Sequence, residues 1–132
     1  MESEPAFEIH QYGTQGRLPR LPFLTIKNAI LGKKYIVSVA CVDDATSKKL
    51  NRQYRGKNNS TNILSFPLQK NSGELVLCPS VMKKEAPKFN MSYSTFFGFL
   101  VIHGMLHLKG MEHGSTMEHK EEFFKKKFDL LK

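Results

Sequence analysis

The stretch Thr95-Phe-Phe-Gly-Phe-Leu-Val-Ile-His103-Gly-Met-Leu-His107-Leu-Lys109-Gly110-Met-Glu-His113 decides how this chain of 132 residues folds. Residues 95–109 are apolar almost all round, with Ser92 or Ser94 placed to cap the start and Gly110 to stop the end. A helix apolar on most faces must be buried, so the spacing predicts the central helix of the domain. Working upstream, Tyr35 to Val42 (YIVSVACV) is apolar on both alternating faces and reads as a central strand covered on both sides. Ala6 to Ile9 can open the chain as a strand, and residues 22–31 suit a short helix stopping at Gly32. Asp43 or Asp44 can cap a helix to about Arg55, with Ala45, Leu50 and Tyr54 as a thin apolar face. A strand from Asn62 to Phe66, ended by Pro67, pairs through an Asn71-Ser72-Gly73 turn with Glu74 to Cys78. A helix is expected near residues 80–86. Downstream, Ser115 and Glu118 form a capping box for a last helix with a Met117, Phe124, Phe128, Leu131 stripe. Glu121/Lys125 and Glu122/Lys126 are spaced to pair along it. The expectation is α+β: a single domain over residues 1–132, with a mixed four-stranded sheet and about five helices.

Composition narrows the class. The 40% hydrophobic and 24% charged residues fit a folded domain rather than a disordered chain. The longest uninterrupted apolar runs, such as Phe99 to Ile102, are far short of the roughly 18–20 residues of a membrane span. The N-terminal Met1-Glu2-Ser3-Glu4-Pro5 is acidic where a signal peptide is basic. Cys41 and Cys78 lie in apolar runs without metal-like or redox spacing, and read as buried thiols in a reducing cytoplasm. The formal charge of +8 is local: residues 17–57 hold ten Lys and Arg against Asp43 and Asp44, so that segment carries the whole excess. A polyanionic partner is the functional reading of such a segment, and solubility the bland one.

His103 and His107 stand four residues apart on the best-defined helix, about 40° apart on one face and one turn above the other. Two imidazoles so placed can reach one ion with bonds of roughly 2.0–2.1 Å. Gly110 can leave the helix with positive φ and deliver His113 as a third ligand. A lone histidine in such a helix is usually a satisfied core residue, but burying two unpaired imidazoles costs too much to be incidental. Three neutral imidazoles leave a position open, as catalytic zinc sites do. H-x3-H-x2-G-x2-H is also the ligand spacing of metzincin proteases, which place a general-base Glu directly after the first histidine. Here that position is Gly104. The metal site is kept and the peptidase mechanism is not. His10 carries no assignment, and His119 is close enough in sequence to be a spare ligand.

The run His103-Gly-Met-Leu-His-Leu-Lys-Gly-Met-Glu-His113 resembles the H-G-x-L-H-L-x-G-Y-D-H motif of the YbeY family, the bacterial rRNA-maturation endoribonucleases. Leu50-Asn-Arg-Gln-Tyr-Arg55 followed by Thr61-Asn-Ile-Leu-Ser-Phe-Pro67 is similar to that family's LNxxYR and T-[DN]-V-L-S-F-P. Gly73-Glu-Leu-Val-Leu77 is similar to its G-D-I-V-I strand. The blocks span residues 43–113 in the right order. Met111-Glu112 departs from Tyr-Asp, and the link between the Phe66 strand and Gly73 is short. Glu112 is read as orienting an imidazole or facing solvent rather than acting as a base.

The resemblance implies a YbeY-like metallohydrolase domain over residues 1–132 that binds one Zn²⁺ per chain through His103, His107 and His113, at the end of the central helix. It implies cleavage of single-stranded RNA, chiefly the 3′ end of small-subunit (16S) ribosomal RNA, and a part in ribosome quality control. The implied partners are ribosomal RNA, the small subunit and its assembly proteins, with no membrane, in the cytoplasm. Arg55 takes the place of the family's catalytic or phosphate-binding arginine, a role that fits the two parallel donors of a guanidinium. Thr61 and Ser65 fall on or beside a strand expected to border the cleft, where sheet-edge hydrogen bonding explains them equally well. The alternative from another class is a ribosome-associated RNA-binding assembly factor whose zinc is mainly structural.

Overall fold

The computed structural model describes residues 7–14 and 16–129. In chain order it runs β1 (Phe7–Tyr12), α1 (Phe23–Leu31), β2 (Ile36–Val42), α2 (Asp44–Arg55), β3 (Ile63–Gln69), β4 (Ser72–Leu77), α3 (Pro79–Glu85), a 3-10 turn (Ala86–Phe89), α4 (Tyr93–Leu108) and α5 (Ser115–Lys127). The strands lie in the order β1-β2-β4-β3. β1, β2 and β4 are parallel, and β3 runs antiparallel to β4 at the edge. This is the α+β arrangement expected, a mixed four-stranded sheet with five helices. No helix among the described residues is long and apolar enough to cross a membrane.

Alternation along the strands divides the interior. Val37, Val39 and Cys41 of β2, with Leu75 and Leu77 of β4, join Ile26 and Ile30 of α1 and most of α4 in the main core. Val42, Leu64 and Val76 point the other way, toward Ala40, Phe66 and Leu50 of α2. Strand β2 is therefore covered on both sides, α1 and α4 over one face and α2 over the other, which is why its sequence is apolar at both parities. Helix α4 touches α1, α3, α5, β3 and β4, and its Ser92 hydroxyl accepts from Thr95 N–H at 3.1 Å as N-cap. Both cysteines are buried, and burial pushes the Cys41 thiol up to about 11.

Several local expectations are corrected. Ala6, offered as the start of β1, lies outside the described residues, and the strand continues to Tyr12. β3 does not stop at Pro67 but runs through it to Gln69, with an irregularity between the two. The edge position explains this, since a proline without N–H costs no ladder bond on an open edge. The tight turn is Lys70-Asn71, while Ser72 and Gly73 already belong to β4. A Cβ at Gly73 would stand 2.7 Å from both Leu108 Cδ2 and Tyr35 Oη, so the glycine serves close approach.

On α2, Ala45 and Tyr54 are exposed, and the buried residues are Ser47 and Asn51. The Ser47 hydroxyl donates to Thr61 O and accepts from Thr61 N–H, both at 2.9 Å, and Asn51 Nδ2 donates to Asn59 O at 2.8 Å. The helix is thus fastened to the 59–61 loop by hydrogen bonds more than by apolar packing. α5 begins without the Ser115–Glu118 box: Gly114 is its N-cap, and no side chain caps it. Met117 and Phe124 are buried and Phe128 is half-buried, whereas Leu131 lies outside the described residues. The i,i+4 pairs give way to Lys125–Glu122 at 2.6 Å, which leaves Glu121 for another partner.

Candidate metal centre

Helix α4 presents His103 and His107 one turn apart at its C-terminal end. Their Nε2 atoms are 3.1 Å from one another. Each ring is held through its other nitrogen: His103 Nδ1 lies 2.9 Å from Glu121 Oε1, and His107 Nδ1 lies 2.9 Å from Met111 O. With Nδ1–H donating to those acceptors, both Nε2 atoms turn lone pairs toward one point. Burial, helped by the neighbouring His103, lowers the His107 pKa below its ordinary value and favours the neutral, ligating form.

Gly110, with φ of +103°, lets the chain turn back immediately after the helix. Met111 N–H donates to Leu106 O at 3.0 Å, closing the turn whose own carbonyl orients His107. The same turn carries His113 to the cluster, its ring centroid 5.1 Å from that of His103 and 4.6 Å from that of His107. The three ligand nitrogens lie within 4.8 Å of one another.

The cluster fits a cation. Two lone pairs at 3.1 Å repel unless something positive lies between them. Two ligands of a tetrahedral ion with bonds of roughly 2.0–2.1 Å stand about 3.3 Å apart. The Glu121–His103 contact is the carboxylate–histidine arrangement that fixes a ligand's tautomer and raises its basicity. Sequence reading assigned Glu121 to an ion pair along α5 and missed this contact across 18 positions; no local signal carries it. Glu112, the other carboxylate weighed for that task, is exposed and lines the cleft instead.

Arg55, at the end of α2, lines one cleft with His103, His107 and His113. Ser65 lines it too, though its hydroxyl donates to Gly104 O at 3.4 Å. Thr61 is occupied by Ser47. His119 lies apart from the cluster, beside Thr116, Lys120 and Phe123, and His10 pairs with Glu8 at 3.6 Å. Gly104 explains the missing carboxylate. A Cβ there would meet Ile63 Cδ1 at 2.6 Å and Leu75 Cδ2 at 2.8 Å, so this position faces the sheet and has no room for a glutamate.

Residues 21–132 match the family model described as endoribonuclease YbeY. The chain belongs to this family. Among curated members, the endoribonuclease YbeY of Buchnera aphidicola subsp. Acyrthosiphon pisum is 42% identical over 76 residues, covering 52% of this chain and 49% of that protein. The Chromobacterium violaceum member is 38% identical over 81 residues, covering 55% and 48%. The aligned stretch thus spans about half the length of these relatives. The solution structure of TM1509 from Thermotoga maritima superposes with a TM-score of 0.60 at 28% identity, covering 89% of this chain and 85% of that one.

Proposed function

We propose that this YbeY-family chain is a zinc-dependent endoribonuclease acting on single-stranded RNA, in maturation of the 3′ end of small-subunit ribosomal RNA and in ribosome quality control. The observation that carries the reading is the convergence of three imidazoles and Arg55 in one open cleft. The curated relatives are named endoribonucleases, which makes RNA the substrate class to test first. A ribosome-assembly setting in the cytoplasm belongs to the same proposal.

His103, His107 and His113 would hold the ion, and Zn²⁺ bound there supplies Lewis acidity toward a phosphoryl oxygen and the attacking water. Glu121 and the Met111 carbonyl keep two of the rings in the ligating tautomer, so little reorganisation is needed when the site loads. Arg55 offers two parallel N–H donors to the equatorial oxygens, where negative charge builds as the phosphodiester is attacked. Gly104 supplies no base at the position a peptidase uses, which favours a phosphodiester over a peptide substrate.

The test is metal analysis paired with a ribosomal-RNA cleavage assay. Wild type is expected to carry about one zinc per chain and to cleave. His107→Ala should lose the metal. Arg55→Glu should keep it and lose cleavage by at least about a hundredfold. Undiminished cleavage by Arg55→Glu would remove the role given to that residue. A zinc-loaded wild type that binds ribosomal RNA without turnover would make the protein an assembly factor with a structural ion.

A further inference from the structure

The imidazoles stand between two compartments of opposite chemistry. On one side Arg55, Ser65, Pro67 and Glu112 border a space of about 380 Å³. On the other, Phe89, Phe96, Phe99, Leu100 and Met117 border a space of about 290 Å³. Ile63, His103 and His113 belong to both walls, so the second compartment opens directly beside the metal ligands.

The aromatic compartment is unsuited to phosphate. Among the described residues no lysine or arginine lines it, and its charged members are Glu118 and Glu121; the Lys125 ammonium, 4.9 Å from the centroid of the Phe99 ring, is paired with Glu122 at 2.6 Å. Glu121 is committed to His103. A neutral flat ring is the group such a wall accepts, since every nucleobase has an apolar face that stacks on an aromatic side chain. Phe89 is built for that contact. It is 56% exposed, yet its ring stacks on the buried Phe96 at 5.2 Å between centroids and 18° between planes. An exposed phenylalanine braced from behind by a core ring is a fixed surface, not a loose one.

We infer that the aromatic compartment receives the nucleobase adjoining the scissile phosphate, with Phe89 as its stacking surface. The inference rests on the RNA-cleaving reading and adds to it. Arg55 and the metal would take the backbone, and the base would turn to the opposite side of the imidazoles. Substrate must then be single-stranded at the cut, because a paired base cannot leave its stack to enter a side pocket without paying the unstacking cost.

The experiment uses the zinc-loaded protein and a short oligoribonucleotide with one cleavage site. A single abasic residue is placed in turn at each position flanking the cut. One abasic position should lower kcat/KM by about 5- to 100-fold in wild type. Phe89→Ala should lose a similar factor on intact RNA and show almost no further loss on that abasic RNA. The chain contains no tryptophan, so Phe89→Trp adds a single indole whose emission reports stacking on rapid mixing, before turnover. Quenching by intact RNA that disappears with the abasic strand is the expected result. Equal abasic penalties in wild type and Phe89→Ala, or indole emission that responds alike to both strands, would overturn the inference. Should Phe89→Ala fail to fold, the indole measurement decides. Absence of cleavage by wild type with selective quenching intact would defeat the nuclease reading and leave the base pocket standing.

Discussion

Lys27 is among the ten cations of the basic segment, yet its side chain is 0% exposed. Its ammonium donates to Gly32 O, Lys33 O and Tyr35 O at 3.0, 3.3 and 2.8 Å, using all three N–H groups to close the turn between α1 and β2. Burial lowers its pKa from the ordinary value. Lys27→Met would keep the stem's packing and strand those carbonyls, so urea denaturation should report a loss of about 3 kcal/mol without a change in slope. An unchanged midpoint would mean that water replaces the ammonium. Gly104 is the converse case, a residue chosen for what it omits. Gly104→Ala forces α4 away from Ile63 and Leu75, a strain of about 1–3 kcal/mol visible as a lower melting temperature. The histidines were legible at this scale because four-residue spacing on a helix fixes their mutual position. Lys27 was not, because a buried lysine and a solvated one are the same letter.

Helix α2 is anchored at its start by Asp43, whose carboxylate accepts from Thr46 N–H at 2.8 Å. The Thr46 hydroxyl and then its N–H hold that carboxyl below the usual range. A carboxyl whose folded pKa lies below its unfolded one contributes stability above the unfolded value and loses it as pH falls through the folded one. Asp43→Ala should therefore melt lower than wild type at neutral pH, with the gap narrowing in acid; a gap constant with pH would assign the effect to packing. Helix α5 is tied to the histidine cluster through Glu121. Glu121→Gln retains shape but weakens the acceptor for His103, and chelator competition should report a 10- to 100-fold loss of metal affinity with the fold unchanged. The elements that are apolar on nearly every face, β2 and α4, were legible almost to their ends. Pro67 misled because its tolerance depends on β3 being an edge, and strand order is not written locally. The Ser115–Glu118 box failed because Gly114 already serves as the cap.

Across the whole molecule, the basic segment does not form one surface. α1 packs on one face of the sheet and α2 on the other, with Lys27 sealed inside. Arg55, at the end of α2, is the member that reaches the cleft with the imidazoles. If RNA follows the α2 side, Lys48, Lys49, Arg52, Arg55 and Lys57 set the ceiling on phosphate contacts. The slope of log affinity against log salt should then be no steeper than about −3.5. A slope near twice that would mean that both faces engage the strand. The net charge could be counted from sequence, but its division between faces required the sheet order. The mixed origin of the three clustered histidines has a further consequence. Two imidazoles ride on a buried helix, while His113 hangs from an exposed turn that begins at Gly110. One side of the site is therefore fixed by core packing, while the other rests on the backbone bonds of a solvent-facing turn. An ion held there should part from His113 first, with α4 still folded. For an ion held by three imidazoles in this way, the supply around the protein should weigh more than any preference of the site.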